Sequence, residues 1–328
     1  MIRHRAWHWG AAVAALVIVC LLAIAFGTVR LSLAQILAAM VSSANTPARA
    51  ILVTLRLPRV ALAALVGIAL GTSGATLQST LRNPLAEPYL LGVSGGAAVG
   101  AVLAMMFRVS SAFWPLLAFA GATVAVMLAM GVARGAGRSG NTDVRILLMA
   151  GVVVGAFANA VIMILLANVP PNTVRGALWW MMGSVADTTW FTVAWLAAYV
   201  AVGVGYLVRH AAEIDVLTLG DESAAGLGVN VAHATRRAFL ASALIAAATV
   251  AAAGLIGFVG LVVPHMARAF GLTRQRSLLA GCALIGAILV VGSDLLARIV
   301  IPPSELPLGA VTAVLGVPFF LVQLRRTR

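Results

Sequence analysis

The chain has 328 residues, 62% of them hydrophobic and only 9% charged, with a mean hydropathy of +1.06. A soluble domain carries about a quarter charged residues, so these values exclude a soluble globular protein and indicate a polytopic membrane protein. The net charge of +13 rests wholly on arginine, with no lysine anywhere; a P-loop ATPase, whose lysine must reach the phosphates, is thereby excluded, and nucleotide energy has to come from another polypeptide.

A bilayer core about 30 Å thick takes roughly 20 apolar residues per helix. On that measure spans are predicted near 9–29, 60–81, 91–107, 114–133, 146–167, 189–208, 238–253, 256–270, 278–300 and 306–324. The first begins like a signal peptide, with Arg3 and Arg5 ahead of an apolar run containing Ala23-Ile-Ala25. That run reaches Val29, longer than an h-region, and is read as a membrane span. Leu31 to Leu55 is apolar but interrupted at Ser42-Ser-Ala-Asn-Thr-Pro47, and its first part suits a helix lying in the interface. Pro170 to Thr188 is interrupted in the same way, with Trp179 and Trp180 as headgroup-level anchors. Either stretch can equally cap the outer mouth of a pathway. Residues 239–270 are barely long enough for two helices, and Ala253-Gly-Leu-Ile-Gly257 is the only turn available.

The arginines stand in short loops at span ends, which is orientation by the positive-inside rule rather than nucleic-acid binding. Ten spans with the N-terminus inside leave seven arginines outside: Arg30, Arg49, Arg56, Arg59, Arg108, Arg175 and Arg298. The other fifteen lie on the cytoplasmic side. Merging 238–270 into one span would move Arg268, Arg274, Arg276 and the Arg-rich tail outside, against the rule. Ten spans with both ends in the cytoplasm is the better arrangement.

Small residues recur at four-residue spacing, at Ala63, Gly67 and Gly71 and again at Gly92, Gly96 and Gly100. Close helix packing explains them better than direct lining of a route. Cys20 and Cys282 lie far apart within apolar runs and read as small buried hydrophobes, not a disulfide. The five histidines sit in separate segments, none at the spacing of a zinc helix, and His265 suits a packed, hydrogen-bonded position. Asp294 is the one acid well inside a span, four residues before Arg298, so the two are expected to pair. Asn83-Pro-Leu-Ala-Glu-Pro88 breaks the chain sharply between spans, and a turn suffices to explain it.

One polar run stands apart. Leu217 to His233 gathers Asp221, Glu222, Ser223, Asn230 and His233 between strongly apolar segments. It predicts one or two short helices, with Asp221 capping the first and Gly226 and Gly228 breaking it. It reads either as a solvated loop or as an element that takes force from a cytoplasmic partner.

Motifs follow one another in order through nearly the whole chain: Leu55-Arg-Leu-Pro-Arg59, Gly74-Ala-Thr-Leu-Gln78, and Asn83-Pro-Leu-Ala-Glu-Pro-Tyr-Leu-Leu-Gly-Val-Ser-Gly-Gly96. Then come Trp180-Met-Met-Gly183, Leu219-Gly-Asp-Glu-Ser-Ala-Ala-Gly-Leu-Gly228, Gly257-Phe-Val-Gly-Leu-Val-Val-Pro-His265, Asp294-Leu-Leu-Ala-Arg298, Pro303-Ser-Glu-Leu-Pro307 and Gly316-Val-Pro-Phe319. Together they resemble the permease subunits of bacterial ABC importers for iron-siderophores, haem and vitamin B12 (the FecCD family, vitamin B12-type permease). The resemblance implies an all-α permease of the type II importer fold, ten helices per subunit, in the bacterial inner membrane. It implies a homodimer with a central pathway, two separate ATPase subunits that carry ATP and Mg, and a periplasmic binding protein docked above. No cofactor is expected on this chain, and it is expected to be a transport subunit rather than an enzyme.

In that likeness Leu219, Gly220, Asp221, Glu222, Ser223, Gly226, Leu227 and Gly228 fall on the family's ATPase-coupling helices. Arg56, Arg59 and Arg298 fall where the family presents outward-facing arginines to the binding protein, although interfacial anchoring also accounts for the first two, and the Asp294 pair for the third. Asn141 and Thr142 fall at the cytoplasmic gate. Asn83-Pro-Leu-Ala-Glu-Pro and Trp-Met-Met-Gly look most like vitamin B12 permeases, with close variants in siderophore and haem permeases. An ion-coupled secondary transporter is the alternative, but it wants further acids along the route; a membrane enzyme wants clustered His, Asp or Cys at one face.

Overall fold

The computed structural model describes residues 2–27, 29–41, 46–136 and 144–326, and every regular element among them is helical. Helix α1 (Ile2–Ala25) is followed by the short α2 (Leu33–Val41). Next, α3 (Pro47–Arg49), a π-helical stretch (Ala50–Arg56) and α4 (Leu57–Thr80) form one uninterrupted helix, with Thr46 accepting from the Arg49 N–H at its start. A single turn, Pro88–Leu91, leads into α5 (Val93–Met106), then α6 (Trp114–Ala136) and α7 (Val144–Ala167). The second half holds α8 (Pro171–Met181), α9 (Trp190–Arg209), α10 (Ala211–Leu217), α11 (Asp221–Gly226), α12 (Val231–Ala253), α13 (Val259–Ala269), α14 (Gln275–Ile299) and α15 (Leu308–Arg326).

A helix stands in each of the ten apolar windows. Among the described residues, six helices are long and apolar enough to cross a membrane by themselves, including Ser111–Gly135, Val231–Ala253 and Gln275–Ile299. A short helix, α2, forms where an interfacial element was expected after the first span, and its Leu33, Leu37, Met40 and Val41 are all exposed. Of the tryptophan pair on α8, Trp179 is exposed and Trp180 packs against the core.

The core is built around α4, which packs on α14, α12, α13 and α9 and is buried along almost all of its second half. Its small residues are there for close approach. A β-carbon on Gly71 would sit 2.7 Å from the Cys282 carbonyl oxygen, and Gly67 meets the Gly286 carbonyl more closely still. Gly96 and Gly100 bring α5 onto α6 in the same manner, against Gly121 and Leu117. Bare backbone at these contacts lets lipid-embedded helices gain dispersion contact without a hydrophobic driving force. Both cysteines are free, Cys282 being buried against α4.

Of the helices in those ten windows, two are too short for a bilayer. At 1.5 Å per residue, the 14 residues of α5 and the 11 of α13 reach only about 21 and 16 Å. Irregular backbone continues each of them, and the two irregular stretches meet. The Glu87 carboxylate accepts from the Phe258 N–H at 2.9 Å, and the Tyr89 hydroxyl accepts from the Ile256 N–H at 3.3 Å. Non-helical backbone in an apolar setting needs such internal partners. The break at 254–258 falls where the only available turn was expected. It carries two left-handed residues, Gly254 (φ 68) and Phe258 (φ 67).

Candidate functional site

The polar run folds as a protruding knuckle. Helix α11 spans Asp221–Gly226 and rests its buried Ala224 on Leu217 of α10 and Ala234 of α12. Everything else on it faces outward: Asp221, Glu222, Ser223, Gly226 and Gly228 are exposed, and Leu219 and Leu227 at its two ends are 62% and 63% exposed. The expected break is present, since α11 ends at Gly226 and Gly228 turns left-handed (φ 84). Asn230 and His233 belong to the next element, where the Asn230 Oδ1 caps α12 by accepting from the His233 N–H at 3.1 Å.

The expected cap is corrected. Gly220, at φ 105, is the N-cap of α11, and Asp221 does not cap it. Instead the Asp221 carboxylate takes a 2.7 Å hydrogen bond from the Arg82 guanidinium, two residues beyond the end of α4. A second carboxylate of the knuckle also reaches out: Asp215 on α10 accepts from the Gln275 N–H at 2.7 Å, the first residue of α14. A carboxylate there satisfies an orphan amide and complements the positive end of the helix dipole.

At the opposite end of α4 and α14 lies the arginine cluster. The expected Asp294–Arg298 pair forms at 3.0 Å, and Arg59 joins it, its Nε and Nη2 lying 2.9 and 2.8 Å from Asp294 Oδ1. Arg59 Nη1 and Nη2 also donate to Glu305, at 2.9 and 2.8 Å. Arg56 and Arg298 turn inward to the end of α1. Arg56 donates to the carbonyls of Ile24, Ala25 and Val29, and Arg298 to those of Ala23 and Phe26. Ala23, Ile24 and Ala25 belong to the last turn of α1, where a cation is most stabilising, and Phe26 and Val29 follow it.

The three arginines named from the sequence are thus together in space but differ in access. Arg56 is 5% exposed and Arg298 4%, so neither is presented outward in this conformation, whereas Arg59 and Glu305 reach the rim. Asn141 and Thr142 lie outside the described residues. His265 is packed as expected, with its Nδ1 2.8 Å from the Leu261 carbonyl and its ring edge-on to Phe320. Among the described residues no three His, Cys, Asp or Glu side chains gather where one metal ion could sit.

Sequence reasoning missed several working side chains. The Asn83–Pro88 turn also delivers Glu87, whose carboxylate accepts from the Phe258 N–H. Arg268 of α13 donates to the Gln78 Oε1 of α4 at 2.5 Å, while the Gln78 amide donates to the carbonyls of Gly260 and Leu261. Glu305 had a visible signal, being the one acid in the connector that follows the span carrying Arg298.

Comparison with known proteins agrees with this geometry. Residues 15–326 match the FecCD transport family. The chain is 40% identical over 280 residues to the cobalamin import system permease protein BtuC of Halobacterium salinarum, covering 85% of this chain and 74% of that one. It is 38% identical over 293 residues to the hemin transport system permease protein HmuU of Yersinia pestis, covering 88% and 86%. A solved inward-facing structure, described as of the metal-chelate ABC transporter type, superposes with a TM-score of 0.86 at 26% identity, over 96% of this chain and 98% of that one. An all-helical body, a protruding short helix at one end and a family match over nearly the full length therefore lead to one conclusion: this chain is a membrane protein of the FecCD transport family, an ABC-importer permease.

Proposed function

We propose that this chain carries a metal chelate from periplasm to cytoplasm by alternating access, as a homodimer bound to two separate ATPase subunits and served by a periplasmic binding protein. The observation that carries this reading is α11. A six-residue helix with two exposed leucines at its ends and an acidic first turn is poorly suited to water alone and well suited to a cleft on a partner. The arginine distribution supports a cytoplasmic position for that helix, in an arrangement of ten crossings with both termini inside. ATP and Mg reside on the ATPases, whose closure pulls on 217–233 and shifts a two-state equilibrium of the helices.

The opposite end is the docking face for the binding protein. Arg59 is the arginine reached first; Arg56 and Arg298 engage a partner's carboxylates only by exchanging the α1 carbonyls they now hold. Asn141 and Thr142 are assigned to the cytoplasmic gate. The cargo is of the corrinoid, haem or iron-siderophore class, with a corrinoid the first to test, because relatives named for cobalamin and for hemin import both match.

The test is coupling. Glu222→Arg and Gly226→Pro are expected to leave the permease folded and in the membrane while separating ATP hydrolysis from uptake. Wild-type uptake in both variants removes the coupling assignment, and ligand binding by the cognate periplasmic protein identifies the cargo.

A further inference from the structure

The two clusters are the ends of one object. Helices α4 and α14 run antiparallel in the most extensive contact of the fold. They touch backbone to backbone at Gly67 with Gly286 and at Gly71 with Cys282. With 24 and 25 residues, each is about 36 Å long. At one end Arg59 of α4 is clamped to Asp294 of α14, which also holds Arg298. At the other, α10 packs on both helices, and a charged contact adds to each: Arg82 to Asp221, and the Gln275 N–H to Asp215. Arg82 holds its contact from a left-handed backbone (φ 47), an unfavourable conformation for a residue with a β-carbon.

Resting on the importer reading above, we propose that Arg82 and Asp215 are positioning residues for energy coupling: they hand displacement of α10–α11 to the α4–α14 pair, which carries it as a rigid strut to the arginine cluster on the far face. A parallel route runs from α11 into α12, through Gly226 and Gly228 and through the packing of Ala224 on Ala234. Leu217 and Ala224 are buried together against Ala234 at the start of α12, so α10 and α11 move as a unit and pull on whatever they are tied to. Linkage across a strut is reciprocal. Nucleotide-driven motion of the knuckle alters the docking end, and docking at that end alters hydrolysis below.

The experiment uses the complete transporter with its ATPase in lipid nanodiscs. The readouts are the ratio of binding-protein-stimulated to basal ATP hydrolysis, and uptake into proteoliposomes. Arg82→Asp and Asp221→Arg are each expected to lower the ratio by about fivefold or more, the lower range of ordinary allosteric coupling. The double swap Arg82→Asp/Asp221→Arg is expected to return it to within about twofold of wild type, a rescue that general damage to either site would not show. Asp215→Ala lowers the ratio as well, while Asp215→Asn, which keeps an acceptor for the Gln275 N–H, retains it. The strut is overturned if the single variants keep the wild-type ratio, or if the double swap stays as low as the singles. Should a charge reversal fail to assemble, Arg82→Ala carries the same test, and an unchanged ratio there is equally fatal. Failure of the importer reading shows differently, as a wild-type chain that copurifies with no ATPase.

Discussion

Close packing at Gly67 is the feature on which α4 and α14 most depend, and a single methyl group tests it. A β-carbon on Gly67 would lie 2.7 Å from the Ala287 nitrogen and closer still to the Gly286 carbonyl oxygen. Both obstacles are backbone, so no side chain can swing away, and the helices have to separate. Overpacking of this kind costs typically 1–3 kcal/mol. The gain in helix propensity from Gly to Ala is only about 0.8–1 kcal/mol and cannot offset the upper part of that range. A graded series isolates the effect. Gly131→Ala meets nothing within 4 Å and is expected to be neutral or slightly stabilising; Gly71→Ala, facing the Cys282 oxygen at 2.7 Å, is intermediate; Gly67→Ala is worst. The assay is thermal unfolding of the purified protein in one lipid mixture, followed by loss of monodisperse protein. A Gly67→Ala variant as stable as Gly131→Ala would refute the claim that backbone contact joins these two helices.

Further outcomes follow from individual contacts. Asp294→Asn strips the shared carboxylate from Arg59 and Arg298 at a site 1% exposed, and loss of one partner of a buried pair costs about 3–5 kcal/mol; a melting temperature no lower than that of exposed Asp187→Asn would contradict this. Glu87→Ala leaves the Phe258 N–H without its acceptor, at about 1–3 kcal/mol, whereas Glu87→Gln keeps one, so the two variants should separate in thermal stability. Asn230→Ala removes the cap of α12 and costs about 1 kcal/mol, read in the same melts. In cells, Ser223→Cys should react with an impermeant thiol reagent only when the cytoplasmic face is opened; labelling from the periplasm alone would reverse the orientation of the knuckle.

Much of this protein was legible along the chain. Windows of apolar residues long enough for a bilayer each contain a helix, because burial in lipid is a local property of composition. The break at 254–258 was visible as two glycines in a run too long for one helix and too short for two full ones. The small-residue spacing on α4 and α5 announced close packing, which explains small residues at every fourth position better than direct lining of a route. The pairing of Asp294 with Arg298 was legible for the same reason, the two being one helical turn apart. The order of motifs, taken whole, pointed to the family.

What stayed hidden was partnership across distance. Arg82 and Asp221 are 139 positions apart, Glu87 and Phe258 are 171, and Arg59 and Glu305 are 246. A charged residue at a helix end carries a local signal for capping or interfacial anchoring, and on that signal Asp221 read as a cap and Arg56 as an interfacial anchor. Tertiary structure decided otherwise, because the free energy of a charge depends on which opposite charge or carbonyl the fold brings within about 3 Å, and hydropathy holds no record of that neighbour. The amino-acid sequence by itself therefore determined the membrane body, its helices and its kinship; only the fold decided that its two charged ends terminate the same pair of helices.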